Sequence, residues 1–136
     1  MSSMHQVFIS HSSTDTWVAT QIKKHIGQCG AACFLDESSV QIGDDFEEKI
    51  REAANASGEL LVLLTPWAVD RPYIWLEMGV FWGSGKRIIG ILHGLTKNEL
   101  LALERVPVLL KRIDLISLNE IDSYFDQLKR RMKSAV

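Results

Sequence analysis

Short apolar runs alternate with amphipathic stretches along the whole chain. Residues 60–64, Leu-Leu-Val-Leu-Leu, form an unbroken apolar run of strand length. That is the pattern of a central parallel strand covered on both faces. Residues 7–10, 31–35 and 87–92 read as further strands, and 109–115 as a fifth. Between the first two, Trp17, Val18, Ile22 and Ile26 recur at helical spacing within 15–27, and Gly30 stops the pattern. Asp44 and Glu47 stand at capping-box spacing ahead of a helix face made of Phe46, Ile50, Ala53 and Ala54. Residues 73–82 read as another helix, closed by Gly83 and Gly85. Residues 121–132 predict a final basic helix, and 97–105 a short one before it. Residues 38–44 and 65–72 read as loops, the second holding Pro66 and Pro72.

Strands and helices in alternation with short connections predict a parallel sheet with helices on both faces. Five strands suit a three-layer α/β, flavodoxin-like fold with sheet order 2-1-3-4-5. Ligands of such sheets bind beyond the carboxyl ends of the strands, at the switch point between strands one and three. That rule selects residues 10–15, 36–44 and 65–77 before any chemistry is considered.

Composition narrows the function classes. With 136 residues, 46% hydrophobic, 24% charged and a formal net charge of -2, residues 1–136 are expected to form one domain. The charge balance argues against direct nucleic-acid binding, which calls for a basic face. No apolar run approaches a membrane span, and residues 1–6 have neither a basic nor an apolar leader segment. A cytoplasmic location without membrane contact is therefore expected. Two cysteines, Cys29 and Cys33, are too few for a disulfide framework or a four-ligand zinc site. Cys33 is expected to be a small buried hydrophobe. The four histidines have no ligand spacing, so neither a metal nor a bound cofactor is expected. Dinucleotide, P-loop and nucleophile-elbow motifs are absent from the sequence. Arg112, Lys129, Arg130, Arg131 and Lys133 are expected on a solvated face, and most of the four tryptophans in or beside the core.

Two segments retain chemical interest. Ser10-His11-Ser12-Ser13-Thr14-Asp15 is dense in hydroxyls. Thr14 or Asp15 would serve as a helix cap, or the hydroxyls and the helix N-terminus would face a phosphate or ribose; the two roles can coexist. Glu77 is the only acid between Asp70 and Glu99 and stands among Trp75, Leu76, Met78 and Phe81. Tyr73 and Glu77 are four residues apart and share a helix face. Either Glu77 sits at the solvent edge, paired with Arg71 or Lys86, or it is a functional carboxylate.

These segments resemble a known family. Val7-Phe8-Ile9-Ser10-His11-Ser12 followed by Asp15 resembles the first motif of TIR (Toll/interleukin-1 receptor) domains. Phe34-Leu35-Asp36, a loop ending at Gly43 and then Phe46 resemble the second motif and its BB loop. Residues 61–67 followed by 73–77 are similar to the third strand and helix C of bacterial TIR domains. Residues 83–92 are similar to the family's Gly-Lys-x-Ile-x-Pro-Ile-Leu run, with Gly90 where proline is frequent. The resemblance spans about residues 5–133, with four motifs in order.

The resemblance implies an enzyme that cleaves NAD+, as substrate, at the nicotinamide–ribose bond, by hydrolysis or by cyclisation to a cyclic ADP-ribose. In that family one helix-C glutamate, preceded four residues earlier by an aromatic, does the chemistry; Glu77 and Tyr73 match those positions, with tyrosine where tryptophan is commoner. Ser10, His11, Ser12, Asp36, Gly43 and Phe46 match positions around the substrate. The family also implies self-association through the BB loop, residues 37–44, a sensor domain or partner protein, and a setting in bacterial antiphage defence or virulence. This chain would be either a whole protein or one domain cut from a longer one. Two other readings stay open: a TIR module that only assembles with other TIR domains, and a nucleoside deoxyribosyltransferase-like enzyme. Nicotinamide leaves as a neutral ring, so one carboxylate can suffice where ordinary glycoside hydrolysis needs two.

Overall fold

A computed structural model of the chain describes residues 5–35, 46–104 and 106–134. Its elements run β1 (Gln6–Ser10), α1 (Thr16–Gln28), β2 (Ala32–Leu35), α2 (Phe46–Ala56), β3 (Glu59–Leu64), α3 (Pro72–Gly83), β4 (Arg87–Leu92), α4 (Lys97–Leu101), β5 (Asp114–Ser117) and α5 (Ile121–Ser134). The sheet order is β2-β1-β3-β4-β5, with every neighbouring pair parallel. This is the flavodoxin-like arrangement that the alternating pattern predicts.

The period of two along each strand builds two cores. Val7, Ile9, Leu61, Leu63, Ile89 and Ile91 point to one face, where Ile22 and Ile26 of α1 and Phe125 and Leu128 of α5 cover them. Phe8, Leu60, Val62, Leu64, Ile88 and Leu92 point to the other, against Ala54 of α2 and Ile74, Met78 and Phe81 of α3. All six residues of β3 are buried, as its apolar run requires. Gly90 lets β4 pass under its neighbours. A Cβ there would lie 2.5 Å from Leu115 Cδ2 and 3.0 Å from Leu64 Cδ1. The Gly90→Ala protein is therefore expected to lose about 1–3 kcal/mol through overpacking, read as a lower urea midpoint.

Several boundaries differ from expectation. The fifth strand begins at Asp114, not at Leu109, because Val108–Lys111 forms a 3-10 turn that turns Leu110 into the α3-side core. An apolar run alone does not distinguish the two. The helix expected over 97–105 ends at Leu101, although Thr96 and Glu99 close a full capping box at its start. The expected capping pair Asp44–Glu47 lies outside the described side chains.

Burial also departs from expectation. Trp17, Trp67 and Trp82 are exposed rather than buried, and of the four tryptophans Trp75 alone packs, partly buried, against the α3-side core. Cys33 is only half-buried, because β2 is an edge strand, and Cys29 is the buried thiol. Desolvation still pushes the Cys33 thiol up to about 12, with Lys23 pulling partly back. A thiol whose folded pKa is raised keeps a proton that the unfolded chain gives up above its ordinary value. Its stabilisation is therefore complete at neutral pH and is lost as pH rises toward 12. We expect a lower urea midpoint at pH 10.5 than at pH 8, and a smaller drop in Cys33→Ala.

Candidate active site

The carboxyl end of β1 carries three buried polar residues in a row. Ser10 and Ser12 are 0% exposed and His11 is 3% exposed. Ser12 organises the turn that follows. Its hydroxyl accepts from the Thr14 N–H at 3.3 Å, and its carbonyl accepts from the Asp15 N–H at 2.8 Å. Asp15 stands at the N-cap position of α1, as one of the two expected caps, but its side chain makes no cap bond; the side-chain cap is that of Ser12, on the 3-10 turn Ser13–Asp15 that precedes α1. The Asp15 carboxylate instead accepts a 2.6 Å hydrogen bond from the Thr65 hydroxyl, just past the end of β3.

From Thr65 the chain makes a 3-10 turn, Ala68–Asp70, and enters α3 with Pro72 in the first turn, where a missing N–H costs nothing. Tyr73 donates its hydroxyl to the His11 carbonyl at 3.3 Å. Glu77 follows one helical turn later and is 0% exposed, as are Ile74, Met78 and Phe81 on the same face. The solvent-edge alternative for Glu77 is thus overturned, because that face of α3 lies against the sheet. The Phe81 ring meets the Phe8 ring edge-on, with centroids 5.4 Å apart. Ser10 is two residues beyond Phe8 on the strand, and Glu77 is one turn before Phe81 on the helix. Strand and helix periodicities therefore put the Ser10 and Glu77 side chains in the next layer toward the carboxyl edge. The Ser10 hydroxyl is buried and has no hydrogen-bond partner among the described residues.

Polar burial is concentrated here. Among the described residues, the buried polar or charged set is Ser10, His11, Ser12, Asp15, Ser57, Glu59, Thr65 and Glu77. All but Ser57 and Glu59 stand at this end of the sheet, at the point where the strand order reverses. The fold thus brings together Ser10, His11, Ser12, Tyr73 and Glu77 of the expected site. Asp36, Gly43 and the loop 37–44 lie outside the described residues. Phe46 opens α2, but its side chain is outside them too. Asp15 and Thr65 are not among the expected substrate-contacting residues: both fall in the segments that the switch-point rule selects, 10–15 and 65–77, but nothing local pairs them. No group of three or more His, Cys, Asp or Glu that could hold a metal occurs among the described residues.

Glu59, at the opposite end of β3, has a structural explanation. Its carboxylate accepts from Arg131, from the Tyr124 hydroxyl and from the His5 ring Nε2, each at 2.7 Å. Arg131 thus leaves the expected solvated face and turns inward. Burial first, and then the Glu59 charge and hydrogen bond, push the Tyr124 hydroxyl well above its ordinary range. No described helix is long and apolar enough to cross a membrane.

The chain is similar to several known proteins. It is 31% identical over 106 residues to the "Probable 2' cyclic ADP-D-ribose synthase BdTIR" of Brachypodium distachyon, a match covering 76% of this chain and 47% of that protein. The match therefore takes in about half the length of that relative. Among solved structures, the TIR domain of the Toll-related receptor TRR-2 from Hydra magnipapillata superposes with a TM-score of 0.69 at 20% identity, covering 93% of this chain and 97% of the other. The CMP N-glycosidase BcmB of Clostridium botulinum shares the fold at a TM-score of 0.57 and 15% identity, over 90% of this chain and 97% of that one. A TIR domain family model matches residues 7–132, nearly the whole chain, and the chain belongs to the TIR domain family.

Proposed function

We propose that this TIR domain cleaves NAD+ at the nicotinamide–ribose bond, with Glu77 as its catalytic carboxylate. The observation that carries the reading is a fully buried glutamate on α3, set in the same layer as the Ser10 hydroxyl at the switch point of the sheet. A carboxylate is costly to bury, and a site is where that cost has a use. The similarity to a plant cyclic ADP-ribose synthase supports the same reaction class. The Glu77 carboxylate accepts hydrogen bonds from ribose hydroxyls and opposes the positive charge that develops on the ribose as the C–N bond breaks. Nicotinamide departs with the bonding electron pair as a neutral ring. Water, or a nucleophile within the same nucleotide, then captures the ribosyl cation and gives up its proton. Ser10, His11 and Ser12 line the ribose and phosphate side, and Asp36, Gly43 and Phe46 are proposed as further substrate contacts because they match the family's substrate positions.

Glu77 is sealed from solvent in the single chain, so turnover requires the mouth to open. Self-association, with the loop 37–44 moving against a second copy, is the proposed trigger. The test is nicotinamide release from NAD+ at low and high protein concentration, with products identified by mass. Release per molecule is expected to rise with concentration, giving ADP-ribose or a cyclic isomer. A protein that releases no nicotinamide at any concentration would be an assembly module instead.

A further inference from the structure

Two hydrogen bonds tie the loop after β1 to the segment after β3. One joins Asp15 to Thr65 at 2.6 Å, and the other joins the His11 carbonyl to Tyr73 at 3.3 Å. They hold the stretch 11–15 at both of its ends. At this point α1 and α3 leave the sheet toward opposite faces, so the two loops diverge unless something joins them.

The Asp15–Thr65 bond has a fixed direction. The Ala68 N–H donates to the Thr65 oxygen at 3.1 Å. The single hydroxyl proton is therefore left for Asp15, whose carboxylate can only accept. Both side chains are buried, with Asp15 5% and Thr65 0% exposed. A helix cap would explain a buried aspartate here, but Asp15 makes no cap bond.

We propose that Asp15 and Thr65 are positioning residues. Their bond, with that between Tyr73 and His11, sets the distance between the end of β1 with the loop that follows it, which carry Ser10 and His11, and α3, which carries Glu77. The catalytic consequence rests on the NAD+-cleaving reading, whereas the clamp is a property of the fold alone. Small displacements of reacting groups are expensive in rate: a shift of about 1 Å can cost on the order of 100-fold.

Thr65→Val keeps the shape and removes the hydroxyl. In that protein, kcat for nicotinamide release is expected to fall about 10- to 100-fold, with a much smaller change in KM. Thr65→Ser restores most of the rate. Asp15→Ala is impaired to a similar extent, and the Asp15→Ala/Thr65→Val double variant is no worse than either single one. Amide hydrogen exchange at Thr14 and Asp15 is expected to speed up in Thr65→Val, in a chain that still unfolds cooperatively.

Unchanged exchange at those amides overturns the clamp. An unchanged kcat in Thr65→Val, or a raised one, overturns the positioning role, a rise meaning that the bond restrains opening. If the wild-type chain releases no nicotinamide, the proposed activity falls, and the exchange measurement alone decides the clamp.

Discussion

The Glu77→Gln protein is expected to release nicotinamide at least about 100-fold more slowly than the wild type, the scale seen when one preorganised stabilising group is removed from a dry site. Glutamine keeps the shape of the side chain and still offers an oxygen acceptor, but it carries no charge. What is removed is the attraction between the carboxylate and the ribosyl cation. That attraction is largest where water is excluded, and Glu77 is 0% exposed. The loss should fall on kcat more than on KM, because the cationic charge exists only near the transition state. Cooperative urea unfolding in the same variant separates lost chemistry from a lost fold. Release at the wild-type rate in Glu77→Gln would remove Glu77 from the site, whatever the rest of the chain does.

The second large effect is on stability. Glu59→Ala is expected to cost about 3 kcal/mol, near the lower end of what breaking a buried ion pair costs. The variant strips the Tyr124 hydroxyl and Arg131 of their acceptor, and Tyr124 is only 3% exposed. The cost stays at the lower end because the Arg131 and His5 side chains are 26% and 29% exposed and can turn to water. Urea denaturation measures the loss. Nicotinamide release per folded molecule should not change, since Glu59 opens β3 and the candidate site lies beyond its other end. A change in the rate of the folded fraction would mean that the two ends of the sheet are coupled.

Both residues are buried glutamates, and the sequence distinguishes them poorly. Glu77 draws notice because the residues around it are apolar. Glu59 draws none, because it merely precedes an apolar run. Its partners His5, Tyr124 and Arg131 lie 54, 65 and 72 positions away in sequence. No local pattern reports contacts of that range. The same holds for Asp15 and Thr65, 50 positions apart, and for Tyr73, whose spacing to Glu77 is legible but whose bond to His11 is not. The tryptophans fail in the other direction. Hydrophobic character suggests burial, yet Trp17, Trp67 and Trp82 stand exposed on helix or loop surfaces.

The order and type of the elements, the parallel sheet, its switch point, and the pairing of an aromatic with a glutamate on one helix face are legible in the residues alone. These follow from hydrophobic period and short-range spacing, which are local. The packing of those elements sets what they leave open: that Glu77 is sealed rather than solvent-facing, that Ser10 shares its layer, and that the Asp15 side chain bonds Thr65 rather than its own helix. It also decided that Glu59 is a structural hub. A side chain's burial and partners depend on which faces meet when the strands order themselves as β2-β1-β3-β4-β5, and that meeting is written in no single stretch of the chain.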